Sequence, residues 1–403
     1  MPDSIEDKLK RAEQLRNDFK FAESLDLIEK IEEIIDLPEE NRLSCIIMKA
    51  YILGSENKRA EATELAKKAY NLSQKLNNEE GIIDSLLNIS GNITLQGQVE
   101  EGFKRLNQVE KLIKNSKTVS TNKIQTWYWQ LNFLKSYSFI FQGDFDKALE
   151  FGLKSHKISK MLGINFTIVS SFDLLGIIYL SKNDIDKGML YSNKALKFYE
   201  EAKNLNRISA SCSNIGQFLY YRGQFNQSLK YLERSLAIKE TPDISKISNF
   251  TIIGSIFTDK GELKRGLDYL LKGLAIAEKS HFSLQYSLNL LGIGRNLKSQ
   301  GNFDGAITNF ERCLEVAEEL GNFLIMDNSI FRLLTIYLEK GDDKKAKWYL
   351  NRLKENIKEG EDEYSHPFFL LGKALMLKTS KRISDIGEAE KVLKEFMMML
   401  SSK

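Results

Sequence analysis

The sequence predicts an all-α solenoid of about ten stacked helical hairpins, and three observations carry that expectation. The first is a skeleton seen in GNFDGAITNFERCLEVAEELGN at 301–322: a turn residue, an aromatic two positions later and a small residue five positions later. Its turn slot falls on Asn17, Asn57, Gly97, Gly143, Asn183, Gly223, Gly261, Gly301, Gly341 and, less clearly, Ser384. The steps are 40, 40, 46, 40, 40, 38, 40, 40 and 43, a period that marks a repeat architecture. The second is helical spacing of apolar residues on both sides of each slot. The third is the presence of only four prolines in 403 residues, which leaves room for long uninterrupted helices.

At the N-terminus, Ser4-Ile-Glu-Asp7 has capping-box spacing and predicts a helix start. That helix places Ile5, Leu9, Ala12 and Leu15 on one face, the arrangement of a terminal capping helix. The unit around Gly223 shows what one repeat is. Ile208, Cys212, Ile215, Gly216 and Leu219 form one apolar stripe; Phe225, Ser228, Leu229, Leu232, Ser235 and Leu236 form the next. Gly223 lies in the turn between them, where positive φ is wanted, so the pair is an antiparallel hairpin.

Small residues recur at fixed registers. Seven before the slot stand Gly176, Gly216, Gly254 and Gly294; five after it Ala148, Gly188, Ser228, Gly266, Ala306 and Ala346; twelve after it Ser155, Ala195, Ser235, Gly273 and Cys313. Glycine inside a helix costs about 1 kcal/mol relative to alanine. Close approach of helix backbones is the compensating gain these positions predict.

On this register the chain is a single array with hairpins at approximately 4–38, 39–79, 80–117, 123–162, 163–202, 203–240, 241–280, 281–320, 321–360 and 361–400. The 46-residue step holds NSKTVSTNK at 115–123, expected as a longer loop. Trp127 and Trp129, just beyond it, are expected in the core. The last segment, AEKVLKEFMMMLSSK, is apolar almost all round at Val392, Leu393, Phe396, Met397, Met398, Met399 and Leu400. It packs on itself, meets a second subunit, or continues into a longer protein, and self-association through this helix is one expectation.

Lysine and arginine total 58 against 55 acidic residues, a net charge of +3 with no long basic run, so no nucleic-acid partner is expected. No secretory signal and no run of 18 apolar residues is present, and the three cysteines are odd in number and far apart. A cytoplasmic setting without a membrane partner is the expectation. Nothing argues for an enzyme, a cofactor or a metal. His156, His281 and His366 lack metal-like spacing and are expected at the solvent or at helix caps; the cysteines are expected in the core.

LLGIIY at 174–179, NIGQFLYYRGQF at 214–225 and LLTIYLEKGDDKKA at 333–346 resemble the tetratricopeptide repeat. The 40-residue step is similar to the long-helix variety of kinesin light chains, LGN-type adaptors, MalT-type regulators and Rap regulators. The resemblance implies a right-handed superhelix of about ten such hairpins, whose first helices line a concave face that binds peptides. Carried over by register, the family's contact positions fall on Asn88, Tyr137, Asp173, Asn214, Gln217, Tyr221, Arg295, Lys298, Asn328 and Arg332. Amides such as Asn88 and Asn214 satisfy both polar groups of an extended backbone. Arg295, Lys298 and Arg332 suit a carboxylate, so an acidic segment is among the expected ligands. The expected function is a non-enzymatic scaffold for a protein or peptide; the alternatives are a peptide- or signal-responsive regulator of the Rap or MalT kind and an interaction module of a larger signalling protein.

Overall fold

A computed structural model describes residues 4–56, 58–116, 119–280, 282–357, 365–379 and 383–401. Among them are twenty helices and no strand, so the fold is the all-α solenoid of helical hairpins that the periodicity predicts. The chain divides into two compact units, Met1–Asn249 and Phe250–Lys403.

In the first unit α1 (Ile5–Asn17) pairs with α2 (Phe21–Glu32), α3 (Glu39–Ser55) with α4 (Arg59–Lys75), and α5 (Glu79–Leu95) with α6 (Val99–Asn115). Next come α7 (Thr121–Gln142) with α8 (Phe145–Leu162), α9 (Asn165–Ser181) with α10 (Ile185–Glu201), and α11 (Leu205–Tyr221) with α12 (Phe225–Leu236). Helix α13 (Asp243–Asp259) begins in this unit and ends in the second. There follow α14 (Leu263–Ser280), the pair α15 (Ser283–Ser299) and α16 (Phe303–Leu320), the pair α17 (Phe323–Glu339) and α18 (Asp343–Glu355), and the pair α19 (Ser365–Thr379) and α20 (Ile383–Ser401).

The capping box at the start of α1 is formed: Asp7 N donates to Ser4 Oγ at 3.1 Å and Ser4 N to the Asp7 carboxylate at 3.3 Å. The slot residues Gly97, Gly143, Asn183, Gly223, Gly261, Gly301 and Gly341 all have positive φ, from 61° at Asn183 to 95° at Gly97. Asn57 lies outside the described residues. Two slots are corrected. Asn17 is the last residue of α1, and the left-handed position is Phe19, at φ 61°. Counting from Phe19 restores the skeleton, with Phe21 two later and Ser24 five later. A bulky residue held there costs on the order of 1–3 kcal/mol, so its surroundings must over-determine it. Ser384 lies inside α20 rather than in a turn.

The small residues meet as the spacing predicts. Ser228 Oγ donates to the Gly216 carbonyl at 2.6 Å, Ser24 Oγ to that of Ala12 at 2.8 Å, and Ser136 Oγ to that of Ala148 at 2.6 Å. These bonds tie the two helices of a hairpin. A second set spans 26 residues and ties the same two helices at their other end: Ser155 Oγ to Trp129 O, Ser235 Oγ to Ser209 O and Cys313 Sγ to Ser287 O. A hydroxyl reaches a helical carbonyl of its neighbour only where no larger side chain intervenes. The glycine cost is recovered through that approach.

Of the segment 115–123, residues 121–123 belong to a helix, and 117 and 118 lie outside the described residues. Ser120 caps α7, which runs for 22 residues where most helices here have 17 or 18. Trp127 and Trp129 are buried, as expected. So are Cys45, Cys212 and Cys313, and burial pushes their thiols up to about 11, 11 and 12. His156 departs from expectation: it is buried against Phe172 and Tyr191. His281 and the His366 side chain lie outside the described residues. In α20 Val392 and Phe396 pack on Leu370, Ala374 and Phe369, while Leu393 and Met397 are exposed. Met398, Met399 and Leu400 lie outside the described side chains.

Candidate functional site

The expected contact residues all lie on first helices of their hairpins, and their surroundings sort them into three groups, two in the first unit and one in the second. Asn88, Tyr137 and Asp173 form the first, in a part of the first unit where the N-terminal helices fold back. Asn88 is buried, and its Nδ2 donates to the Asp84 carbonyl one turn earlier. The Asp84 carboxylate takes Trp127 Nε1 and Lys123 Nζ, each at 2.7 Å, from the extra turn of α7. Position 88 therefore completes internal structure.

Tyr137 and Asp173 belong to a cluster that spans α3, α4, α7, α9, α10 and α11. Tyr199 Oη donates to Asp173 Oδ2 at 2.6 Å, and Arg207 Nη1 stands 3.9 Å from the same oxygen. Arg207 Nη2 donates to the Ser55 carbonyl at 3.1 Å, closing the end of α3 onto the start of α11. Arg59 donates to the Gly54 carbonyl, and the Arg16 guanidinium lies 5.2 Å above the Tyr51 ring. Burial sets the electrostatics. It raises the Asp173 carboxyl against the opposing pull of Arg207 and Tyr199, pushes the Tyr51 and Tyr137 phenols up to about 12, and brings Arg59 down to about 10. Burial also opposes the Arg207 charge, but Tyr199 and Asp173 outweigh it and hold that guanidinium protonated.

Phe19 completes this closure. Its ring is 2% exposed, stacks on Phe166 at 4.9 Å and meets Tyr199 edge-on at 5.0 Å. Asn204 Nδ2 donates to the Phe19 carbonyl at 2.9 Å, while Asn204 Oδ1 caps α11 by accepting from Arg207 N at 3.0 Å. Phe19, Tyr199, Asn204 and Arg207 are the residues that sequence reasoning missed. The register of Phe21 and Ser24 would have found the first; contacts between residues 185 apart leave no periodic trace for the others.

The second group, Asn214, Gln217 and Tyr221, lies on α11. Asn214 and Gln217 are half-buried and have no hydrogen-bond partner among the described residues; Tyr221 is 57% exposed beside Tyr220. These are the expected positions with unspent hydrogen-bonding capacity.

The third group is in the second unit, and its cations already have partners. Arg295 donates to Asp259 at 2.7 Å, Lys298 pairs with Glu339 at 2.7 Å, and Arg332 donates to Asn328 Oδ1 at 2.8 Å. An incoming carboxylate has to exchange with those of Asp259 and Glu339.

A family model described as tetratricopeptide repeat matches residues 209–241, and a second of the same description matches 289–320. The chain carries tetratricopeptide repeats. The matched segments cover most of the α11–α12 and α15–α16 hairpins, and the positive-φ turn residue of those two recurs at Phe19, Gly97, Gly143, Asn183, Gly261 and Gly341. Comparison with curated protein sequences finds no match. Among solved structures the chain is similar to a Rap protein complexed with competence and sporulation factor, at 15% identity and a TM-score of 0.68, covering 91% of this chain and 99% of that one. It is also similar to NprR in complex with its cognate peptide NprX, at 14% identity and a TM-score of 0.62, covering 87% and 99%. The apo form of the quorum sensor NprR from B. thuringiensis follows at 15% identity and 0.56, covering 87% and 98%. Among the described residues no helix is long and apolar enough to cross a membrane.

Proposed function

We propose that this tetratricopeptide-repeat chain is a non-enzymatic scaffold that binds an extended peptide or protein segment along the first-helix face. The observation that carries the reading is the pair Asn214 and Gln217, about one helical turn apart on α11, with both amides free of partners among the described residues. A side-chain amide offers a donor and an acceptor, which is what an extended backbone needs in order to leave water without loss. Tyr221 adds contact area on the same helix. The likeness to structures solved with a sporulation factor and with a cognate peptide supports the same reading.

The test is selection of short peptides from a display library on the full chain. Selected peptides are then titrated by calorimetry against wild type and Asn214→Ala/Gln217→Ala. A shared sequence and at least tenfold weaker binding to the variant are expected; equal binding would remove α11 from the site. An acidic preference, acting through Arg295 and Arg332, would show as enriched aspartate and glutamate and as loss of affinity in Arg295→Ala/Arg332→Ala.

A second reading, a peptide-responsive regulator, is favoured by the contact of the N-terminal helices with α9 and α11. A scaffold that only displays a surface has no need of such a closure. Small-angle scattering of the full chain with and without a selected peptide separates the two, since only the regulator changes dimensions.

A further inference from the structure

We infer that Arg59 and Arg207, with the hydroxyls of Tyr51 and Tyr137, form a binding site for a compact oxyanion, either free phosphate or a chain-terminal carboxylate. The site lies in the first unit, with Arg207 on α11 about 10 Å along the helix axis from Asn214. It goes beyond the peptide reading and does not rest on it.

The end of α3 brings the two guanidiniums together. Gly54 and Ser55 are its last residues, and the carbonyls of a final turn have no partner within the helix. Arg59 Nη1 donates to the Gly54 carbonyl at 3.4 Å, and Arg207 Nη2 to the adjacent Ser55 carbonyl at 3.1 Å. Side chains from α4 and α11 are thereby held side by side at the negative end of the α3 dipole. Those carbonyls offset only part of two full charges. Asp173 does not complete the balance. Its Oδ2 stands 3.9 Å from Arg207 Nη1, beyond hydrogen-bonding reach, and accepts from Tyr199 Oη instead. The Asp84 carboxylate is already engaged by Trp127 and Lys123.

What remains unspent is all of one kind. Arg207 Nε and Nη1 make no hydrogen bond among the described residues, and neither do the hydroxyls of Tyr51 and Tyr137. Both phenols lie in the field of the Arg207 charge. Each of these groups can donate, and a guanidinium cannot accept at all. The surroundings are enclosed yet reached by water: Arg207 keeps 25% and Asp173 16% of side-chain surface exposed, while Arg59, Tyr51 and Tyr137 are half-buried. Burial dominates the ionisation of all five, and the charge of Arg207 further disfavours that of Arg59. An oxyanion relieves that repulsion and accepts from guanidinium and phenol in charge-assisted bonds, which are the stronger class.

The test is titration calorimetry on the full chain at constant ionic strength, with chloride replaced by inorganic phosphate or by N-acetylglycine, a terminal carboxylate without a chain. One-site saturation by at least one of them is expected; phosphate alone identifies the free ion as the ligand, and N-acetylglycine alone identifies a chain end. Arg207→Gln should weaken binding at least about tenfold, and Tyr137→Phe about threefold. Asp173→Asn keeps an acceptor for Tyr199 but removes the competing charge, so it should tighten binding at least about threefold. A gain on removing a buried carboxylate is not what a merely structural role produces. If circular dichroism shows that Arg207→Gln loses helix, the other two variants decide. Absence of saturation by both probes, unchanged affinity in Arg207→Gln, or weaker binding in Asp173→Asn would overturn the site. Because no selected peptide is used, failure here leaves the α11 reading standing, and failure of the peptide selection leaves the oxyanion site standing.

Discussion

Gly254 and Gly266 face each other across α13 and α14 so closely that a Cβ on either would lie 2.8 Å from the other's carbonyl oxygen. Neither oxygen can retreat, because each belongs to a helix backbone. Gly254→Ala therefore trades a gain of about 1 kcal/mol in helix propensity for overpacking that costs about 1–3 kcal/mol. A net loss is expected in urea titrations of the full chain followed by circular dichroism. Gly387, within α20, is the matched control: an added Cβ there meets nothing within 4 Å. Gly387→Ala should stabilise by up to about 1 kcal/mol, and the same sign for both would refute the account of the notch.

Asp84 is the second point of test. Its carboxylate satisfies the indole of Trp127, which is fully buried, and the ammonium of Lys123. In Asp84→Ala the indole N–H loses its acceptor inside the core, at a cost of about 1–3 kcal/mol. Trp127 fluorescence should also shift as water enters beside it. A variant as stable as wild type would mean that another acceptor replaces the carboxylate.

His156 sets an acid limit. Burial, with Lys160 and Lys194 nearby, brings its imidazole down to about 4 from an unfolded value near 6.5. Since the folded chain binds the proton later than the unfolded chain, stability is full above about pH 6.5 and falls as pH drops toward about 4. His156→Phe retains ring contacts with Phe172 and Tyr191 but cannot titrate. The wild-type curve should drop below that of the variant by as much as about 3 kcal/mol across this window, as read from urea midpoints at a series of pH values.

The ion pairs of the second unit are expected to matter little for folding. Arg295 and Asp259 keep 31% and 29% of their side-chain surface exposed. Arg295→Ala should change stability by less than about 1 kcal/mol. A larger loss in the urea midpoint would assign the pair a structural role and weaken its place in ligand binding.

Local patterning carried the fold. Turn, aromatic and small residue recur because the two helices of a hairpin meet through the same notch, and the Ser228–Gly216 and Ser235–Ser209 bonds are that notch in atoms. Phe19 escaped because an aromatic is not read as a turn residue, and Asn17 lay close enough to the period to stand in for it. The candidate face was legible only in part. Register places Asn88 with Asn214 and Tyr137 with Gln217 on equivalent positions, but register is blind to what folds back over them. Helix α7's extra turn engages Asp84 beside Asn88, Tyr137 joins the cluster around Arg207, and Asn214 keeps its amide unspent.

The buried thiols give each unit a built-in reporter. Cys45 and Cys212 belong to the apolar cluster that holds Phe19, and Cys313 lies deep among Phe310, Leu314 and Ile330 of the other unit. A maleimide or disulfide reagent can reach them only through fluctuations of the surrounding helices, and their raised thiols keep the reaction slow without such fluctuations. Mass-resolved labelling of the unaltered chain would thus time the breathing of the two units independently, with no probe engineered into either.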